Sequence, residues 1–347
     1  MMSDRTAKPR SCPSFPPPPA ITVEEASAVT RSAFGFDSVA TPLDGEQDRN
    51  FQLVDGEGRH FILKLSNASD RGMIELQNAA LDHVAAADPD CIVPRVVRAE
   101  NGQAFIRVEH DDGSVCFARI LTFVHGRAIG ELSLGPVQFE RIGESIARLD
   151  LALSRFKHGA ERAAMIWDIR KAPDARPLLR YVKDSEDRDR ATRILDAFEQ
   201  RMEGLSAQRA QFVHHDLNPS NVIALSATQA PSYGFIDFGD IEHAPLISEL
   251  AIAAAYNVAV EGHPLSAIRA ILTGYASVTP LVEEEIELIF TLISVRLVQS
   301  LAISHWRAQV TPKNSAYLLR YGNKASSDLA RLATLSDEDA RTYLSDH

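Results

Sequence analysis

The residues with the most chemistry in this sequence stand close together in Phe212–Asp240, which reads FVHHDLNPSNVIALSATQAPSYGFIDFGD. Asp216 is followed by Asn221, and Asp237 closes a later apolar run. Phe212-Val213, Val222–Leu225 and Tyr233–Ile236 are short hydrophobic segments bounded by Asn, Pro, Ser and Gly. They predict short buried strands with the polar residues at their ends, where a side chain can be held rigidly while facing a cleft. Phosphoryl transfer needs this set. A carboxylate such as Asp216 orients a hydroxyl acceptor and takes its proton, while Asp237 and the Asn221 amide supply hard oxygen ligands to a metal that neutralises nucleotide phosphates. Positioning and electrostatics then carry the catalysis. A metal hydrolase with His214, His215, Asp216 and either Asp237 or His243 as ligands is the competing chemistry. It leaves Asn221 without a role.

The elements around this stretch divide in character. Residues 1–20 are rich in Pro and Ser, with Pro16–Pro19 consecutive, and predict a disordered tail. Thr22-Val23-Glu24-Glu25 has the form of a capping box, so a helix is expected to about Phe34, stopped by Gly35. Val39–Leu43, Asn50–Val54 and His60–Leu65 read as an antiparallel meander, with Asp55-Gly56-Glu57-Gly58 as a hairpin turn. Lys64 lies in the third of these strands, and Met73–Ala86 reads as a helix carrying Glu75. Val96–Ala99, Gln103–Val108 and Val115–Leu121 are further strands, separated by Glu100-Asn101-Gly102 and Asp111-Asp112-Gly113 turns. From Gly135 the pattern becomes helical: Phe139, Ile142, Ile146, Leu149 and Leu153 repeat at helical spacing to about Phe156. Arg176–Val182, Asp187–Leu205, Leu246–Val260, Leu281–Trp306 and Ser315–Leu332 continue it. Arg296 interrupts an apolar helix, which marks a buried ion pair or a contact to an acceptor carboxylate.

His214-His215-Asp216-Leu217-Asn218-Pro219-Ser220-Asn221 has the form HxDxxxxN, and Asp237-Phe238-Gly239 follows in order. Together they resemble the aminoglycoside phosphotransferase and choline kinase branch of the protein-kinase-like fold, over roughly residues 21–335. The resemblance implies an α+β, bilobal architecture: a small antiparallel-sheet N-lobe at 21–124 for nucleotide and a mostly α-helical C-lobe at 125–347 for catalysis and acceptor. It implies that Lys64 holds the α and β phosphates and is itself held by Glu75. The turn with Gly45 becomes the loop near the phosphates, and backbone groups of Thr122 and Val124 meet the purine edge. Asp216 becomes the catalytic carboxylate, and Asn221 and Asp237 the ligands of Mg²⁺, with ATP or GTP as donor. Within the family, Asp216–Pro219, Asp237–Asp240 followed by His243 and Pro245, Leu76-Gln77-Asn78 and Trp167-Asp168 look closest to the hydroxylysine kinase branch. That likeness implies a small amine-bearing acceptor such as 5-hydroxylysine, with aminoglycoside, choline and homoserine as alternatives. Asp240, Glu242, His243, Trp167 and Arg296 are its acceptor-side residues. His215 stands where the family usually has glycine. A non-catalytic pseudokinase is a further reading, disfavoured because Lys64, Asp216, Asn221 and Asp237 are all present.

At 347 residues the chain has room for two cored lobes. A net charge of −11 argues against nucleic acid or an anionic membrane as partner, leaving nucleotide and a small molecule. The longest membrane candidate, Leu246–Val260, is broken by Glu249. Three scattered cysteines and the lack of a signal-type apolar segment point to the cytoplasm. Oligomeric state is left open.

Overall fold

Thr22 opens the first helix as its sequence requires. Its hydroxyl accepts from the Glu25 N–H at 3.2 Å and the Glu25 carboxylate accepts from the Thr22 N–H at 2.7 Å, while Gly35 ends the helix in the left-handed region. The computed structural model describes residues 17–45, 47–109, 113–160, 165–225, 232–310 and 315–345. The expected tail up to residue 16, Glu46 of the Gly45 turn and Asp111-Asp112 lie outside the described residues.

Two units emerge. The first holds residues 1–78 and 95–123, the second 79–94 and 124–347. In the first, α1 (Val23–Phe34) is followed by β1 (Ser38–Leu43), β2 (Arg49–Asp55), β3 (His60–Asn67), the start of α2 (Arg71–Ala87), β4 (Val96–Val97), β5 (Ile106–Glu109) and β6 (Val115–Thr122). The sheet runs β1-β2-β3-β6-β4, antiparallel throughout, with β5 also on β6. The first three strands thus form the expected meander. Period-two alternation sends Phe51, Leu53, Leu63 and Leu65 to one face, where they form a core with Ile21, Ala26 and Phe34 beside α1. Lys64 consequently points to the other face.

The second unit continues with β7 (Arg127–Ala128), α3 (Pro136–Leu153), a 3₁₀ segment (Ile169–Tyr181), α4 (Ser185–Glu199) and α5 (Met202–Ser206). Then come β8 (Ala210–Val213), β9 (Val222–Ala224), β10 (Tyr233–Phe235), β11 (Glu242–Pro245), α6 (Leu246–Ala255), α7 (Ser266–Val278), α8 (Glu283–Val310), α9 (Ser315–Leu332) and α10 (Asp337–Ser345). Strands β10, β9 and β7 form one small sheet, and β11 pairs with β8. The expected helix at Arg176–Val182 is instead the end of the 3₁₀ segment, which contains Pro173 and Pro177.

Leu246–Val260, expected as one helix, stops at Ala255, and Val260 is exposed. The helices α7 and α10 lie outside the sequence reading. Helix α7 carries Gly274, a poor helix former, because it packs tightly on α3. A Cβ at Gly274 would collide with the Glu140 carbonyl, and one at Gly143 with the Ile271 carbonyl. Among the described residues helix α8, not α6, is the one long and apolar enough to cross a membrane, but 83% of its most apolar stretch is buried within the molecule. That makes it a core helix, apolar on all sides.

Candidate active site

Asp216 sits on the irregular segment between β8 and β9, and its surroundings hold it from both sides. Its Oδ2 accepts from Nδ2 of Asn218 at 3.0 Å and of Asn221 at 2.9 Å. Asn221 Nδ2 also donates to the Asp216 carbonyl at 2.8 Å, closing the loop on itself. Oδ1 accepts from Nη2 of Arg296, on α8, at 3.2 Å. His214 is wholly buried. One ring nitrogen, Nε2, lies 2.9 Å from the Ile236 carbonyl and donates to it, and the other accepts from the Asp216 N–H at 3.3 Å. Burial holds this imidazole near 4, so it is neutral. With both nitrogens on backbone groups it supports the loop and is not the metal ligand that the hydrolase reading requires.

Two residues flanking this centre, His215 (φ 67°) and Asp237 (φ 63°), have left-handed backbone, and no other non-glycine residue does so among the described residues. Such a conformation costs a non-glycine residue about 1–3 kcal/mol and concentrates at functional sites. Glycine, which the resemblance puts at position 215, would take this conformation without that cost. The fully buried Glu249 of α6 secures the strained turn, accepting from the His215 N–H at 2.7 Å. Below it, Asp150 of α3 accepts from the Tyr275 hydroxyl at 2.8 Å. In the sequence Glu249 stood out only as the break in the apolar run Leu246–Val260, and Asp150 did not stand out; a carboxylate inside such a run is the kind of signal that marks a buried polar site.

Around Asp216 the field is acidic. Loss of solvent, then the Asp240 carboxylate, push its carboxyl up to about 8 against the pull of Arg296 and Asn218, and Asp237 adds to the push. A divalent cation answers such a cluster. Asn221 uses its amide N–H groups on Asp216 and presents an oxygen, while Asp237 is exposed at the end of the short segment after β10. These two residues fit a hard cation by donor type.

The acceptor-side residues divide. Trp167 and Arg296 meet: the Arg296 guanidinium lies 4.8 Å from the Trp167 ring centroid and donates to the Trp167 carbonyl at 2.9 Å. Gln299, three residues on along the same face of α8, donates to the Ile166 and Asp168 carbonyls at 3.1 and 3.0 Å. Tyr256, which follows α6, accepts from Arg296 Nε at 3.2 Å and was not singled out in the sequence. Glu242 and His243 are instead held by Arg170, through a 3.6 Å ion pair to the Glu242 carboxylate and a hydrogen bond to the His243 carbonyl. The His243 ring packs edge-on against Phe212.

In the first unit, Lys64 is ion-paired with Asp48 at 3.4 Å. The expected Lys64–Glu75 pair is corrected: the Glu75 carboxylate accepts from Arg71 at 2.9 Å, one turn away on the same helix. The link from helix to sheet is made by Arg119, opposite Lys64 in the β3–β6 register, which donates to Asn78 at 2.9 Å and to Gln77. Arg119 is buried, and its planar fork spans two amide acceptors at once. Gly45 is required by its turn, since a Cβ there would strike the Asp48 carbonyl. Thr122 uses both its N–H and its hydroxyl on the Arg95 backbone, at 2.9 and 2.8 Å, so the expected purine contact cannot use that N–H. Val124 opens the second unit.

Comparisons with known proteins agree with this geometry. Residues 39–284 match the model of the phosphotransferase enzyme family, APH. Over 325 residues the chain is 30% identical to hydroxylysine kinase of Mus musculus, spanning 87% of this chain and 86% of that protein. In fold it is similar to a microcompartment-associated aminopropanol kinase (TM-score 0.71, 20% identity, 92% of this chain and 99% of the other). It is also similar to an amicoumacin kinase solved with AMP-PNP and Ca²⁺ (TM-score 0.64, 16% identity, 86% and 92%). The fold is protein-kinase-like, an antiparallel sheet unit followed by a mostly helical one. The chain belongs to the APH phosphotransferase family and is a small-molecule kinase that phosphorylates an alcohol group.

Proposed function

We propose that the chain transfers the γ-phosphate of ATP or GTP to the side-chain hydroxyl of a small amine-bearing acceptor, with 5-hydroxy-L-lysine as the leading substrate. The observation that carries this reading is Asp216, held at both oxygens by Asn218, Asn221 and Arg296 and bordered by Asp237 and Asp240. The similarity to mouse hydroxylysine kinase supports the choice of acceptor. Asp216 accepts the acceptor's hydroxyl proton as its oxygen bonds to the γ-phosphorus; the bond to the β-bridging oxygen breaks, and the nucleoside diphosphate leaves with that electron pair. Asn221 and Asp237 would hold Mg²⁺, which supplies neutralisation of the phosphate charge when bound. Lys64 steadies the α and β phosphates. Asp240 and the Trp167 ring suit a cationic amine, by charge and by cation–π attraction. The described cysteines, Cys91 and Cys116, are buried and in no disulfide, in keeping with a reducing cytoplasm.

The test is phosphate transfer with Mg²⁺ from ATP and from GTP, separately, to 5-hydroxylysine, choline, homoserine and an aminoglycoside. Selective phosphorylation of 5-hydroxylysine is expected. Preferential turnover of another alcohol would move the substrate while keeping the reaction.

A further inference from the structure

The two oxygens of Asp216 are not equivalent. Oδ2 accepts from Asn218 and Asn221 at 3.0 and 2.9 Å, which occupies both of its lone-pair directions. Oδ1 accepts one bond, from Arg296 at 3.2 Å, and keeps one lone pair.

Arg296 has little freedom to release that bond. Its side chain is 2% exposed. Nε donates to the Tyr256 hydroxyl at 3.2 Å and Nη1 to the Trp167 carbonyl at 2.9 Å, with the guanidinium over the Trp167 ring. A planar fork pinned at three nitrogens has one orientation. A cation this deeply buried also needs a carboxylate partner, and Asp216 faces it. The same enclosure leaves it no open face on which to receive a carboxylate from an acceptor.

We infer that Arg296 is the positioning residue for Asp216: held by Trp167 and Tyr256, it fixes the carboxylate plane so that the free lone pair of Oδ1 meets the acceptor hydroxyl. The inference rests on the reading of Asp216 as the acceptor-engaging carboxylate. It assigns Oδ1 to the proton and Oδ2 to the loop.

The test compares Arg296→Met, Arg296→Lys and Tyr256→Phe with the wild type. It uses every alcohol that the wild type phosphorylates, both those with a carboxylate (5-hydroxylysine, homoserine) and those without (choline, an aminoglycoside). Arg296→Met is expected to lower kcat by about 10²-fold with each of them, the scale of a misplaced reacting group. Nucleotide KM stays within about twofold of wild type, because the residue acts in the transition state and not on donor binding. Arg296→Lys falls between the two. Tyr256→Phe removes one anchor of the guanidinium without touching Asp216, so it lowers kcat less, at an unchanged melting temperature. It serves as the readout if Arg296→Met does not fold. A raised KM confined to carboxylate-bearing acceptors, with kcat kept, would make Arg296 a substrate contact and overturn the inference. Asp216→Asn run alongside separates the two readings. Near-wild-type turnover in Asp216→Asn strikes the role of Asp216 itself, whereas an inactive Asp216→Asn beside a fully active Arg296→Met strikes this inference alone.

Discussion

Lys64 and Asp216 lie in different units and are secured by different means. Lys64 stands on a strand of a well-paired sheet, where alternation alone decides which face it takes, and its side chain, 12% exposed, is ion-paired to Asp48. Asp216 stands on irregular backbone. Its place is set by two asparagines, an arginine from α8, a neutral histidine below it and a glutamate bonded to the strained residue before it. A regular strand aims a side chain through its own geometry, so few contacts are needed. A loop has no such geometry, and the directing groups must come from elsewhere in the chain.

Three substitutions test this contrast. Asp216→Asn keeps the shape and removes the proposed base, so kcat should fall by about 10³-fold, within the usual range for a positioned acid–base group, with nucleotide KM unchanged. Steady-state kinetics measures both, and a modest loss would mean that the dense packing around Asp216 serves only the fold.

Asp150 probes the layer beneath. Burial outweighs the Tyr275 hydrogen bond and raises its carboxyl from the ordinary 3.8 to about 8, so the folded state holds a proton that the unfolded chain releases. Its contribution to stability is complete below about pH 4 and is lost as pH rises towards about 8. Asp150→Asn stays neutral throughout. Its melting temperature should decline less than that of the wild type between about pH 5 and pH 8, and an identical slope would mean that Asp150 is ionised in the folded protein.

The smallest effect is expected in the first unit. Glu75 and Arg71 form an exposed pair, 43% and 65% accessible, so Glu75→Gln should cost under about 1 kcal/mol in a thermal melt and leave kcat near wild type. A large fall in kcat would show that Glu75 leaves Arg71 during turnover and that the two regions are less different than the resting geometry has them.

Much of the fold was legible because its signals are local. The capping box at Thr22, the hairpin at Asp55–Gly58 and the apolar period of α3 depend on residues within a few positions of each other, and each formed as read. Helix α7 did not announce itself. Its Gly274 lowers helix propensity, and only the close approach of α3 makes that glycine necessary. Lys64–Glu75 was expected by analogy with order along the chain, but Arg119 had already taken the connection through Gln77 and Asn78.

By itself the sequence held the residues of the reaction and, through the resemblance they carry, pointed to its class. Asp216, Asn221 and Asp237 carry oxygen chemistry whose spacing survives any detail of packing, and the short apolar runs around them dictate strand ends. Tertiary structure alone decided how that chemistry is aimed. Arg296 is 80 residues from Asp216 in the chain, Trp167 lies 129 residues from Arg296, and Glu249 is 34 from His215. No periodicity links such positions. They meet because α8 is buried in the core and α6 packs by the segment that carries Asp216, where a buried charge or a left-handed residue must find its partner in space.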